Sequence, residues 1–265
     1  MKNSNNPIVD DVCKRFDTVY KMSKMFLTSN SAQKGLIISG DAGTGKSHFV
    51  KKAFIDTNTV DRVDYNKSES FTAAAFYVQL FLNRKPGDVI VFDDCNLGGL
   101  TGGELKSITD MLKGATEMTK GERVIGWNRA RRNQKMIDHG VPESFDFQGS
   151  IIWITNYSFE NLAATFKSHW EAISSRFITI PIRLNDQEKL MYTLHLVEEV
   201  DMLGKNCDMM EGGYPKKIIT ATCSYLRDNW KYMDNVTPRV AGKIADTMNM
   251  YPDSWEMLLE NQNIK

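Results

Sequence analysis

Several things this chain lacks narrow its chemistry. Cysteine occurs only 4 times in 265 residues. Cys13, Cys95, Cys207 and Cys223 form no CxxC pair and have no histidine at metal-ligand spacing. A tetrahedral zinc site needs such paired spacings, so the pattern argues against a zinc module and for reduced, mostly buried thiols in a cytosolic-type compartment. Net charge is also missing, with 33 basic and 33 acidic residues. No global field therefore draws the chain onto nucleic acid or anionic lipid, and any nucleic-acid contact has to come from a local patch. No apolar run approaches the ~20 residues needed to span a bilayer. Residues 1–10 are polar, without the apolar stretch of a secretory leader. The expectation is no membrane association and a cytoplasmic setting, or the host cytoplasm for a virally encoded chain. Internal repeats and low-complexity tracts are absent as well.

What remains is the composition of an ordinary globular protein, 42% hydrophobic and 25% charged. The length suits one α/β core with a smaller attached piece, large enough to bury a core without disulfides or metals. Short apolar runs at 35–39, 60–65, 89–92, 151–155 and 177–182 read as strands. Helical periodicity covers 10–28, 46–54, 68–83 and 104–118. Buried strands alternating with helices predict a mainly parallel sheet covered on both faces. Beyond residue 183 only helices are predicted, over 186–203, 215–231, 238–250 and 255–261. The predicted fold is therefore an α/β core over 1–184 followed by a small all-helical domain over 185–265.

The glycine-rich segment Gly40, Asp41, Ala42, Gly43, Thr44, Gly45, Lys46, Ser47 fits GxxxxGK[ST]. It follows an apolar run and opens a helix, which is the context the motif requires. Glycines let backbone N–H groups turn inward around phosphate oxygens, and the following helix presents its positive end to the same anion. Lys46 has the reach for the β- and γ-phosphates of ATP, and the Ser47 hydroxyl is suited to ligate Mg²⁺. His48 completes the predicted nucleotide-binding set. The run VIVFDD at 89–94 supplies an acidic partner at the end of a strand. Asp93 is the candidate Mg²⁺ ligand, and Asp94 the candidate group that orients or deprotonates the attacking water.

With these two motifs the chain resembles the AAA+ ATPase family, from about residue 8 to 250. In that family a polar residue at the tip of the next strand senses the γ-phosphate. IIWITN at 151–156 matches, so the resemblance implies Asn156 as sensor 1. An arginine before the last core strand reaches a neighbour's ATP, and the resemblance implies Arg176 in that role. A further arginine early in a helix of the lid contacts the nucleotide in cis. Arg239, after Thr237 and Pro238, is the implied sensor 2, with Arg227 as its rival. Many members carry Asp-Glu in the acidic motif. This chain has Asp93 and Asp94, one methylene shorter, a form similar to that of the viral superfamily-three helicases. The departure bears on hydrolysis rate rather than on nucleotide binding.

Between the acidic motif and residue 151 lies a long insert, about 119–149. Its middle carries Trp127, Arg129, Arg131, Arg132 and Lys135, and its return runs through FDFQG at 145–149. The flanks are predicted to pair as an antiparallel hairpin, similar to the pre-sensor-1 hairpin of one AAA+ branch. In hexameric helicases of that branch the hairpin tips grip DNA phosphates. By that resemblance the basic residues supply charge for DNA, and Trp127 either stacks on a base or packs the hairpin. The alternative is a solvated basic loop, or one facing acidic groups of a neighbouring subunit.

These features lead to the expectation of an oligomeric, ring-forming ATPase that moves on or remodels DNA, as helicase, translocase or helicase loader. Two other readings stay open: a MoxR-like ATPase remodelling a protein partner, and a regulatory module that binds ATP and turns it over slowly.

Overall fold

A computed structural model describes residues 6–27, 31–67, 72–95, 102–119, 121–127, 134–208 and 210–261. The chain divides into two compact units. One comprises the described residues of Thr18–Gly40 and Lys46–Ile182; the other comprises those of Met1–Asp17, Asp41–Gly45 and Arg183–Lys265.

The first unit is built on a five-stranded parallel sheet of β1 (Gly35–Gly40), β2 (Val63–Lys67), β3 (Val89–Asp93), β6 (Ser150–Thr155) and β7 (Phe177–Ile182). Its spatial order is β2-β3-β6-β1-β7. The sequence reason is visible strand by strand. Every residue of β3 and β6 is buried, so both faces of these central strands need apolar side chains and no alternation is possible. Each fully buried aliphatic chain in this layer, such as Ile152 or Val91, contributes roughly 1.5–3 kcal/mol. β2 sits at the edge and is only partly buried, in keeping with its polar sequence VDYNK. It begins three residues later than expected, because residues 60–62 form a 3-10 turn first.

Helices α2 (Lys46–Asp56), α3 (Ala73–Leu82) and α4 (Gly102–Ala115) connect these strands. The C-terminal part of α1 (Pro7–Phe26) also belongs to this unit, with Val19 and Phe26 fully buried. Between α4 and β6 the insert flanks do pair: β4 (Val124–Gly126) and β5 (Ser144–Asp146) are antiparallel, with Ile125 opposite Phe145. Both central residues are buried and their neighbours exposed, the period of two expected of a half-buried ribbon. Phe145 lies against Tyr77 and Phe81 of α3, which ties the ribbon to the core. A short helix α5 (Gln134–Asp138) inside the insert, and α6 (Phe159–Phe166) and α7 (Trp170–Ser174) between β6 and β7, are not legible as periodic runs in the sequence.

The second unit packs α8 (Asp186–Glu198), α9 (Lys216–Asn229), α10 (Pro238–Met250) and α11 (Trp255–Asn261) around Leu190, Leu194, Ile218, Leu226, Ile244 and Leu259. Asn185 caps α8 in a capping box with Glu188. That helix stops at Glu198 rather than at the expected 203, because Asp201 takes a left-handed conformation (φ 61°) and turns the chain. The start of α1 belongs here too, through Phe16 stacked on Tyr192 at 5.0 Å.

Candidate nucleotide site

The sheet order decides which residues can meet. β6 lies between β1 and β3, so the carboxyl ends of three adjacent strands present Gly40, Asp93 and, one residue beyond β6, Asn156. Open parallel sheets bind ligands at this end.

Lys46 opens α2, and its side chain turns back toward that edge. Its Nζ donates to the Gly40 carbonyl at 2.8 Å and to Asn156 Oδ1 at 3.0 Å. Only 5% of Lys46 is exposed. An ammonium this buried is tolerated only when its protons find acceptors, and these two oxygens supply them. The next residue, Ser47, donates its hydroxyl to Asp93 Oδ1 at 2.9 Å. Asp93 is 2% exposed, and its second oxygen accepts from the Tyr65 hydroxyl at 2.7 Å. Burial first, and then the Asp93 carboxylate, push the Tyr65 phenol far above its ordinary range, so it stays a donor. The Lys51 ammonium covers the Tyr65 ring, 4.6 Å from its centroid.

Asp94 follows directly after β3. Its backbone is left-handed (φ 55°), its N–H donates to the Ile154 carbonyl at 3.0 Å, and its side chain is exposed. Aspartate is among the few residues that tolerate this conformation. His48 is exposed on α2 with its ring edge-on to Phe49, outside the Lys46, Asp93 and Asn156 group.

Arg176, just before β7, is engaged within its own subunit. Its Nη2 lies 2.9 Å from Glu117 Oε2, and its Nη1 donates to the Ala172 carbonyl at 2.9 Å. The hydrogen bond from Arg176 holds the Glu117 carboxyl below its usual range.

In the second unit, loop residues 41–45 have their own partners. Asp41 forms an ion pair with Lys189 of α8 at 2.6 Å, and the buried Thr44 donates its hydroxyl to the Asp41 carbonyl at 2.9 Å. Ala42 is exposed. Gly43 and Gly45 have φ values of 77° and 106°, which side chains rarely adopt. A Cβ on Gly43 would sit 3.0 Å from Thr237 Oγ1 and 3.2 Å from Arg239 Cβ. The first turn of α10 therefore runs directly beside this glycine, with Arg239 exposed there. Arg227, its rival, is instead paired with Glu198 on the same unit.

The donors suit the groups the sequence points to. A hydroxyl and a carboxylate are the hard oxygen ligands Mg²⁺ takes, and Mg²⁺ needs few of them when phosphates and waters complete the shell. Among the described residues no cluster of three or more His, Cys, Asp or Glu is placed to hold a metal without such help. A lysine that directly follows a glycine-rich segment in sequence and opens a helix suits a polyphosphate.

In the insert, Arg129, Arg131 and Arg132 lie outside the described residues. Trp127 is half-buried, 5.4 Å from the Tyr77 ring, and its backbone N–H donates to the Glu143 carbonyl at 2.7 Å. It packs the hairpin. Lys135 is exposed on α5. His169, for which the sequence shows no partner, has Lys113 Nζ 3.1 Å from its Nδ1.

Motif reading misses Tyr65, Glu117 and Lys189, the partners of Asp93, Arg176 and Asp41 respectively. No sequence signal marks Tyr65, which is placed by the strand register: it lies opposite Val91, and Lys67 opposite Asp93. It is therefore on the same face of the sheet as Asp93.

No protein-family model matches the chain. An uncharacterized 36.7 kDa protein of the nrdC–mobD intergenic region of Enterobacteria phage T4 is 25% identical over 261 residues, covering 97% of this chain and 75% of the phage protein. Among solved structures, the Thermotoga maritima RuvB Holliday junction branch migration motor is similar with a TM-score of 0.50 at 13% identity, over 97% of this chain and 70% of that one. Domain III of the Thermotoga maritima replication initiation protein DnaA gives a TM-score of 0.49 at 14% identity, over 96% of this chain and 92% of that one. Among the described residues no helix is long and apolar enough to cross a membrane.

Proposed function

The chain has the AAA+ ATPase fold, and from that premise we propose that it binds ATP with Mg²⁺, hydrolyses it, and couples the cycle to movement on or remodelling of DNA. The observation that carries the ATPase reading is one constellation: Lys46 Nζ on Asn156 Oδ1 at 3.0 Å, beside Ser47 Oγ on Asp93 Oδ1 at 2.9 Å. Phosphate-loop lysine, metal hydroxyl, strand-end carboxylate and strand-end amide meet at one sheet edge, which is the set a phosphoryl-transfer site requires.

Each group has a task in this reading. The Gly40–Ser47 segment turns its backbone N–H groups toward the phosphates, and Lys46 sets its charge beside the β- and γ-oxygens. Ser47 and Asp93 hold Mg²⁺, which when bound offsets the negative charge that develops on the transferred phosphoryl group. Asp94, exposed at the strand end, orients the attacking water. Asn156 links the γ-phosphate position to the end of β6 through its hydrogen bond with Lys46. Arg176 acts on a neighbouring subunit in a homo-oligomer, a hexameric ring by resemblance, and Arg239 senses the nucleotide from the start of α10. The core spans residues 1–184 and the lid 185–265.

The DNA reading is supported by the basic run in the insert and by the β4–β5 ribbon whose strands flank that run in the sequence. A second reading, a remodeller of a protein partner, is favoured by the packing of Trp127 against Tyr77, which occupies the ring that base stacking would use. Steady-state ATPase activity, with and without single- and double-stranded DNA at low salt, separates them. The DNA motor requires stimulation that disappears when Arg129, Arg131 and Arg132 become Ala. Turnover that neither DNA form stimulates favours the protein client, and no turnover at all overturns the enzyme reading.

A further inference from the structure

The Asp93 carboxylate is gripped from two sides by this chain. Oδ1 accepts from Ser47 and Oδ2 from the Tyr65 hydroxyl, at 2.9 and 2.7 Å. Tyr65 belongs to the edge strand β2 and Asp93 ends the neighbouring β3. The parallel register pairs Tyr65 with Val91 and Lys67 with Asp93. Because successive side chains alternate faces, Tyr65 and Asp93 share a face as diagonal neighbours. An aromatic side chain is long enough to span that diagonal. The ring is held in turn by the Lys51 ammonium over its face at 4.6 Å.

A carboxylate at a strand end rotates about its own axis unless both oxygens are fixed. Ser47 alone cannot fix it, since its hydroxyl has a single proton to donate and donates it to Oδ1 alone. The Tyr65 hydroxyl fixes the far oxygen and leaves Oδ1 turned toward Ser47. Partners of this kind orient a metal ligand and tune its affinity without touching the metal.

We propose that Tyr65 is a positioning residue for the Mg²⁺ site, holding Asp93 in the rotamer that presents one carboxylate oxygen beside the Ser47 hydroxyl. The proposal rests on the nucleotide-site reading above. It assigns to a tyrosine outside both sequence motifs the control of metal affinity.

The test measures binding of a fluorescent ATP analogue by equilibrium titration, first in EDTA and then across a Mg²⁺ series, for the full chain and for Tyr65→Phe. The Phe ring keeps the packing and removes only the hydroxyl. The Mg²⁺ concentration at half-effect should rise about tenfold. Affinity in EDTA should not change, and the nucleotide-free protein should still melt cooperatively, its midpoint lowered only as far as the loss of one buried hydrogen bond requires. If the half-effect concentration is unchanged, the proposal fails. Should Tyr65→Phe not fold, Tyr65→Leu, also without a donor, is read by the same criterion. Asp93→Asn separates this failure from failure of the site itself. A Mg²⁺ shift with Asp93→Asn but none with Tyr65→Phe overturns only the tyrosine's role. No shift with either overturns the metal site and the proposal together.

Discussion

Arg176 and Glu117 form a closed pair: guanidinium and carboxylate meet at 2.9 Å, and a second arginine nitrogen is bound to the Ala172 carbonyl at 2.9 Å. In the proposed ring the same guanidinium serves a neighbour's ATP, so it has to leave Glu117 or share its donors. Arg176→Ala should then leave ATP affinity unchanged and lower turnover by about a thousandfold, the usual scale of a trans-acting arginine. Equilibrium binding and steady-state turnover, measured on the same preparation, check it. Full turnover in the variant would argue against an active site shared between subunits.

The same pair makes a pH prediction. Glu117 has its folded pKa held below the ordinary 4.5 by Arg176. A depressed carboxylate contributes stability that is present above its unfolded value and is lost as pH falls through its folded value. Replacing Glu117 by Gln should cost about 0.5–1 kcal/mol at neutral pH, since the pair is partly exposed. The difference between wild type and E117Q should stay constant above about pH 5 and shrink toward zero in more acid solution. Thermal melts across that range report it, and a difference that grows with acid would contradict the pairing.

In the proposed site Lys46 is the residue on which ATP binding turns. Its ammonium is buried at the sheet edge, held by Gly40 and Asn156. Lys46→Ala removes the positive charge and leaves Asn156 Oδ1 without that donor. ATP binding should fall below detection in a titration that measures micromolar affinity for the wild type. Retained affinity would show that the glycine-rich turn is not the phosphate site.

How much of this was legible in the sequence depends on distance along the chain. The strands that lead to Gly40, Asp93 and Asn156 were readable because each is an uninterrupted apolar run, the pattern of parallel strands covered on both faces. The helices α8 to α11 were readable from their periodicity, except for the end of α8, where the turn at Asp201 comes before the apolar pattern ends. What the sequence could not show are contacts set by register and by three-dimensional closure. Tyr65 reaches Asp93 only because β2 and β3 pair in one particular register. Glu117 and Arg176 are 59 residues apart, and neither lies in a helix pattern that announces a partner. Lys189 meets Asp41 from a helix whose sequence gives no reason to look toward the loop. The short α6 and α7 hold too few turns for periodicity to rise above the background.

The thiols give a prediction that needs no assumption about nucleotide. Cys13, Cys95 and Cys223 are buried, and Cys207 is half-exposed. Burial pushes the Cys13 thiol up, and burial followed by the charge of Glu198 pushes Cys223 up to about 11. Thiolate is the reacting species, so at pH 8 these two are both shielded and protonated. Cys95 is covered beside the end of β3, with its thiol directed at the Asn66 and Asp93 carbonyls. A chromogenic disulfide reagent should therefore label one thiol quickly in the native protein and all four after denaturation. Cys207→Ser should abolish the fast phase. A second fast thiol that remains in Cys207→Ser would mean that one of the two cores opens on the timescale of labelling. Mass mapping of the labelled residue would then decide between them, since Cys13 and Cys223 belong to the helical unit and Cys95 to the sheet.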